Sequence, residues 1–246
     1  MIRIVTAYPD VLNLYGDYAN TAVLARFLRA RGEMLELRSF TVGSYTNISS
    51  ADLVIVGAGT ENRMIYALRD LRRLSGELRS YVDKGGRLLL TGNALAIFGR
   101  GVDLIEQQGS LEALGILDLR VTVTPGRRYR ELLCGSDLVD SPVVGSVNTS
   151  LEVESNEQPL FRVEKSSARL TNPVEGARRL NVFATELSGP LFVRNPELMR
   201  YFAQTLAART LEWNLNDPFE LRCLEGYDNI VKKLDAQLGR AKVRAV

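Results

Sequence analysis

Cys134 and Cys223 are the only thiols in this 246-residue chain, and it contains no histidine to deprotonate either one. Nucleophilic catalysis near neutral pH commonly relies on an imidazole that takes the nucleophile's proton and returns it to the leaving group. Without that base, the usual Cys–His and Ser–His arrangements are excluded. Two distant cysteines with no CxxC pair and no imidazole make a poor zinc site, so neither a metal nor a cofactor is expected. Cys134, within Arg130–Gly135, lies on or near a strand with no strand–turn–helix elbow, and it reads as a buried packing thiol ahead of a relocated nucleophile. Arg128, in Gly126-Arg-Arg-Tyr-Arg130, has the planar head that grips a carboxylate in bidentate fashion. With three arginines in four positions, a solvated basic turn is the better explanation.

The elements that must position these groups alternate. Ile2–Thr6 predicts a buried strand, and Val23, Leu24, Phe27 and Leu28 recur at helical spacing until Gly32. Leu35 and Leu37 suggest a second strand. Leu53–Val56 predicts a third, running into Gly57-Ala58-Gly59. An amphipathic stretch from about Asn62 to Val82 ends at Gly85-Gly86, and Arg87–Thr91 then enters Gly92-Asn93. This order predicts an α/β fold with a parallel sheet covered by helices on both faces. Ligands in such folds bind beyond the carboxyl ends of the strands, so Gly57–Thr60 and Thr91–Ala94 are the junctions to watch.

The second half changes character. Leu117, Leu119, Val121 and Val123 alternate as a half-buried strand does, and Val143-Val144, Leu151–Val153, Leu160–Val163 and Leu180–Ala184 suggest more short strands. Asn195-Pro196-Glu197 predicts a helix start with Asn as the cap. From Trp213 onward an amphipathic tail, helical in part, ends in a basic segment from Arg240 to Val246 expected to fray. The division expected is a domain over residues 1–209 and a helical extension over 210–246.

With 46% hydrophobic and 24% charged residues, composition fits a soluble globular chain. A net charge of +2 gives no long-range attraction to nucleic acid or membrane. No apolar run resembles a signal peptide or a membrane span, so a cytoplasmic location is expected.

Tyr8-Pro-Asp-Val-Leu-Asn-Leu-Tyr-Gly-Asp17 followed by Asn20, Leu53–Gly59, Leu111–Leu119, Val143–Asn148, Leu187-Ser-Gly-Pro-Leu191 and Asn195–Leu198 occur in an order that resembles the GatD-type glutamine amidotransferases. These are class I enzymes related to cobyric acid synthase and include the glutaminase subunits of lipid II isoglutaminyl synthase. The likeness covers about residues 1–209. It implies a nucleophilic cysteine on a tight strand–helix turn and a histidine near the Leu-x-Gly-Pro-Leu segment. Counting back from Gly99 in Leu89–Gly99 places Gly92 at the cysteine, with Thr91 and Asn93 its neighbours, and Ser188 falls at the histidine.

Both members of the dyad are therefore replaced. Gly57, Ala58 and Gly59 are candidate ligand-binding positions through their backbone N–H groups, although a tight turn explains them as well. Asn93 is a further candidate, and Arg128 falls near the family's substrate-carboxylate arginine. Tyr8, Asp10, Asn13 and Asp17 form a turn-like segment suited to loop capping or to partner contact.

The resemblance implies a non-catalytic, pseudoenzyme subunit that partners a Mur-ligase-like, MurT-type amide ligase in cell-wall peptidoglycan chemistry. The alternatives are an enzyme of altered chemistry in the same pocket and a sensor that binds glutamine or another small amino acid.

Overall fold

Leu53–Val56 and Leu88–Thr91 are buried at every position, which requires apolar cover on both faces of the sheet that holds them. The computed structural model describes residues 1–106 and 108–240. Its first half comprises β1 (Ile2–Ala7), α1 (Tyr18–Arg29), β2 (Leu35–Phe40), β3 (Leu53–Val56), α2 (Glu61–Leu71), α3 (Ser75–Asp83), β4 (Leu88–Thr91) and α4 (Ala94–Phe98). The next elements are β5 (Gly101–Leu104), β6 (Gly109–Glu112), β7 (Leu119–Gly135), β8 (Val143–Ser155), β9 (Phe161–Ser166), β10 (Val174–Glu175), β11 (Ala177–Arg179), β12 (Val182–Thr185) and β13 (Leu187–Ser188). Helices α5 (Leu191–Arg194), α6 (Pro196–Ala207) and α7 (Pro218–Gln237) and the short β14 (Gly239–Arg240) complete the chain.

Among the described residues the first sheet runs β11-β12-β4-β3-β1-β2 and is parallel except at the edge strand β11. Successive side chains take opposite faces, as strand geometry dictates. Ile4, Leu53, Ile55 and Leu89 join Leu24 and Phe27 of α1 and Phe202 of α6. Val5, Val54, Val56, Leu88 and Leu90 join Met64 and Leu68 of α2 and Leu78 of α3. The fold is therefore the α/β arrangement expected, with helices on both faces of a parallel sheet.

The second sheet is larger than the short apolar runs suggested. Strand β7 spans 17 residues and β8 spans 13, and they pair antiparallel with a register shift between Val123 and Arg128. The runs at Val143 and Leu151 are two parts of the one strand β8. Gly145, Ser146, Asn148, Thr149 and Ser150 between them break the apolar pattern, although the strand stays buried or half-buried through that stretch.

Other boundaries differ for local reasons. The stretch from Asn62 to Val82 is two helices joined by a 3-10 turn at Arg72–Leu74, just before the weak helix formers Ser75 and Gly76. Leu180 takes φ +51° in a turn, so β12 starts at Val182. Asn195 precedes Pro196 as predicted but does not cap α6 with its side chain. Its Oδ1 accepts from Val144 N–H at 2.7 Å, and its Nδ2 donates to the Val144 and Leu191 carbonyls, both at 2.9 Å.

The tail packs on its own chain. Asp217 caps α7 by accepting from Phe219 N–H, and Pro218 occupies the first turn. Tyr227, Leu234 and Leu238 cover Leu133 of β7 and Val144 of β8. Most of the basic segment expected to fray, residues 241–246, lies outside the described residues. No helix among the described residues is long and apolar enough to cross a membrane.

Candidate functional site

Strand β4 ends at Thr91 and α4 begins at Ala94, so the chain must reverse within Gly92 and Asn93. Gly92 does this at φ +57°, a left-handed conformation that glycine adopts without a steric penalty. Its N–H donates to Leu187 O at 3.2 Å, tying the turn to β13. Strand–turn–helix geometry of this kind exposes a nucleophile where a side chain is present. Here there is none, and a Cβ added at residue 92 would lie 2.6 Å from the Ala58 Cβ.

Ala58 belongs to the loop leaving β3, against which the Tyr8–Asp17 segment is pressed. A Cβ on Gly57 would lie 2.4 Å from Leu12 O, and one on Gly59 would lie 2.8 Å from Leu12 Cδ2. The close approach of two backbones explains both glycines. Hydrogen bonds then close the loop from within. Ala58 N–H donates to Asp17 Oδ2 at 3.1 Å and Gly59 N–H donates to Asn93 Oδ1 at 3.0 Å. Asn93 Nδ2 donates back to Gly59 O at 2.7 Å. Thr91 Oγ1 donates to Asp17 Oδ1 at 2.6 Å, so one carboxylate joins the ends of β3 and β4. Burial holds the Asp17 carboxyl above the usual carboxylate range, against the opposing pull of the Thr91 and Ala58 hydrogen bonds.

Ser188 sits on β13, buried, and its Oγ accepts from Asn148 N–H at 3.4 Å. The structure brings Gly92 and Ser188 to one cavity with Ala58, Gly59 and Asn93. The free volume there is about 10 Å³, close to the minimum for a single water. Gly57 lies behind this wall, against Leu12 and Asp17.

The two adjacent arginines part company. Arg128 donates to Glu152 Oε1 at 2.8 Å and to the Leu151 carbonyl, and it lines a separate, larger cleft. Arg127 closes the small cavity: its Nη1 donates to Glu61 Oε1 at 3.1 Å and its Nε to Asn148 Oδ1 at 3.1 Å. Ser150 Oγ adds a 2.6 Å bond to Glu61. Neighbours on a strand face opposite ways, and the register shift after Val123 decides which arginine meets the cavity.

Cys134 is fully buried on β7 among Val143, Phe161 and Val163, and burial pushes its thiol well above the ordinary range. A thiol held neutral in an apolar cluster is a packing group. Cys223 is partly buried on α7, and its thiol too is raised by burial. Of the turn segment, Tyr8 OH donates to Asp70 Oδ2 at 2.8 Å and Asn13 Oδ1 accepts from Tyr18 N–H at the start of α1, while Asp10 is exposed. The sequence reading missed Arg127, Glu61 and Glu186, which all line the cavity. Glu186, two residues before Ser188, was the one with a positional cue. Among the described residues no three Asp, Glu, Cys or His side chains converge as metal ligands do.

Residues 3–196 match the CobB/CobQ-like glutamine amidotransferase domain. The GatD subunit of the glutamine-hydrolysing lipid II isoglutaminyl synthase of Staphylococcus aureus (strain N315) is 23% identical over 202 residues, covering 81% of this chain and 82% of that protein. A glutamine amidotransferase crystal structure is 18% identical, covers 83% of this chain and 98% of its own, and has a TM-score of 0.48. The acivicin-bound glutaminase domain of Trypanosoma brucei CTPS is 13% identical, covers 87% of this chain and 97% of its own, and has a TM-score of 0.45.

Proposed function

The chain belongs to the CobB/CobQ-like glutamine amidotransferase domain family, and from that premise we propose that it is a member without the glutaminase step. In this reading it serves as the non-catalytic, stabilising or regulatory subunit of a Mur-ligase-like (MurT-type), ATP-dependent amide ligase in cell-wall synthesis. The similar S. aureus protein is itself a subunit of a lipid II isoglutaminyl synthase, which supports a ligase as the partner class.

The observation that carries the reading is the internal closure of the pocket. Hydrolysis of an amide needs a nucleophile, a base and free N–H donors aimed at the developing oxyanion. Gly92 provides no nucleophile, and the chain holds no imidazole. The Ala58 and Gly59 N–H groups are already bonded to Asp17 and Asn93. A cavity of about 10 Å³ has no room for glutamine, which also weighs against altered chemistry in the same pocket. The amine for the ligation would then come as free ammonia or as another amine.

Two measurements test this. Purified protein assayed for ammonium release from glutamine should give only background, with Cys134→Ala as the control for a relocated thiol. Co-expressed with a Mur-ligase-like protein from the same genome, it should elute with the ligase on gel filtration and raise its soluble yield or its activity. A ligase that is soluble and fully active alone, or release of ammonium that vanishes in Cys134→Ala, would overturn the proposal.

A further inference from the structure

Strand β2 is an open edge of the first sheet. At the opposite edge, β11 is covered by a bridge from Gln158, whose carbonyl accepts from Arg178 N–H at 2.7 Å. Among the described residues no segment covers β2 in that way. An unpaired strand edge is a template for another strand, and proteins often blunt it with proline, lysine or a bulge. Leu35–Phe40 contains neither proline nor lysine, and its register against β1 is unbroken.

Two bonds fix which way the backbone of β2 points. Ile2 N–H donates to Met34 O and Tyr8 N–H to Phe40 O, both at 2.8 Å. Along a strand, one residue turns both its N–H and its C=O to a given neighbour and the next turns both away. With Ile2 opposite Leu35 and Thr6 opposite Ser39, Glu36 and Arg38 therefore direct their backbone groups to β1. Leu35, Leu37 and Ser39 direct theirs outward, where no described residue meets them. The side chains divide between the two faces. Leu35 packs against the core on the α1 side, and Leu37 on that same face is 40% exposed. Glu36 and Arg38 stand on the other face, with side chains 26% and 45% exposed, and Glu36 accepts from Arg3 Nε at 2.9 Å and from Arg38 Nε at 2.8 Å.

This pattern is complementary to itself. A second β2 laid antiparallel about a two-fold axis at Leu37 sets Leu37 against the partner's Leu37 and Leu35 against the partner's Ser39. All of these residues face outward, so each pair exchanges both backbone bonds. Glu36 then stands opposite the partner's Arg38 in the closer, non-bonded pairs, about 4.5 Å apart at Cα, where opposite charges attract. An axis at residue 36 would oppose glutamate to glutamate, and one at residue 38 arginine to arginine. The register centred on Leu37 satisfies backbone and charge together. We propose that β2 is a self-association surface, on which two copies of this chain pair edge to edge about Leu37 and join their six-stranded sheets into one. So short an edge, with little apolar cover, makes a transient dimer that forms in the micromolar range. Strands β1 and β3 lie between β2 and β4, which leads into Gly92, so the dimer leaves the closed pocket as it is and does not depend on docking to a ligase.

Sedimentation velocity of the full chain from about 1 to 500 μM tests the proposal. The parent should pass from monomer to dimer across that range. Leu37→Pro removes an outward N–H that β1 does not use, a change an edge strand tolerates, and should stay monomeric throughout. Glu36→Arg alone opposes arginine to arginine, and Arg38→Glu alone opposes glutamate to glutamate, so each should dimerise at least tenfold more weakly. Mixed in equal amounts, these two variants restore both opposite-charge pairs and should associate as the parent does. They alter exposed side chains and carry the test if Leu37→Pro fails to fold. A parent that stays monomeric would leave the edge to a strand of some other protein and overturn the proposal. So would a dimer that survives Leu37→Pro, or a mixture that associates no better than its separate components. None of these results alters the ligase co-elution experiment, so the two proposals fail separately.

Discussion

Ala58 and Gly92 are sterically complementary: the Ala58 Cβ fills the space that a Cβ on residue 92 would need, 2.6 Å away. The position expected to hold a nucleophile is therefore shaped for glycine. Gly92→Cys alone should destabilise the protein by about 1–3 kcal/mol through overpacking and the left-handed backbone. Adding Ala58→Gly should recover part of that loss, with a coupling of at least ~0.5 kcal/mol in a urea double-mutant cycle. Strict additivity would show that the two positions do not compete for space. Neither variant should hydrolyse glutamine, because no imidazole is restored.

Asn93 closes the glycine loop with two hydrogen bonds to Gly59, one in each direction. Asn93→Ala should cost about 2–3 kcal/mol, since it leaves a buried N–H and a buried carbonyl unmet. Asn93→Asp should be no better at neutral pH, where a carboxylate oxygen would face the Gly59 carbonyl. Denaturant midpoints compare them, and an Asp variant as stable as the parent would contradict the assigned roles.

Glu175 carries the clearest dependence on pH. Burial, followed by the neighbouring Glu186 carboxylate, raises it from 4.5 to about 8. A carboxyl raised on folding binds its proton more tightly in the native state. Its contribution is fully present below about pH 4.5 and is lost as pH rises through about 8. Stability should therefore decline over that window, and Glu175→Gln should decline less steeply. Glu186, raised in the same sense by burial and opposed by Arg130 and Arg128, keeps some slope in the variant. Thermal melts from pH 5 to 8 give the comparison, and parallel curves would refute it.

Helix α7 is anchored by an ion pair shielded from water. Arg31 grips Glu220 with two 2.7 Å bonds, their side chains 10% and 3% exposed, and stacks 3.4 Å above the Phe27 ring. Glu220→Ala strands that guanidinium and should cost about 3–5 kcal/mol. Limited proteolysis should then cut within 210–220 before the rest of the chain. An unchanged cleavage pattern would mean that Tyr227, Leu234 and Leu238 hold the helix by themselves.

Much of the fold was legible because burial has a period. The unbroken apolar runs Leu53–Val56 and Leu88–Leu90 can only be interior strands, and Gly32 and Gly85 mark chain reversals with φ near +80° and +87°. Strand β8 looks like two pieces in the sequence because buried polar residues such as Ser146, Thr149 and Ser150 interrupt its apolar pattern. Asn195 was read as a helix cap because Asn before Pro describes one locally, while its true partner, Val144, is 51 residues away.

The amino-acid sequence alone determined which groups are absent. A chain with no histidine, and with glycine at the turn after β4, offers no imidazole anywhere and no side-chain nucleophile at that position. It also determined the parallel sheet, since strand and helix periods are local properties of the residues. Tertiary structure decided what became of the pocket. Asp17 and Asn93 reach the Ala58 and Gly59 N–H groups across 41 and 34 residues, and a register shift in β7 sets Arg127 rather than Arg128 at the cavity. These outcomes depend on how separate loops meet in space, and no local pattern of hydrophobicity or turn residues encodes that meeting.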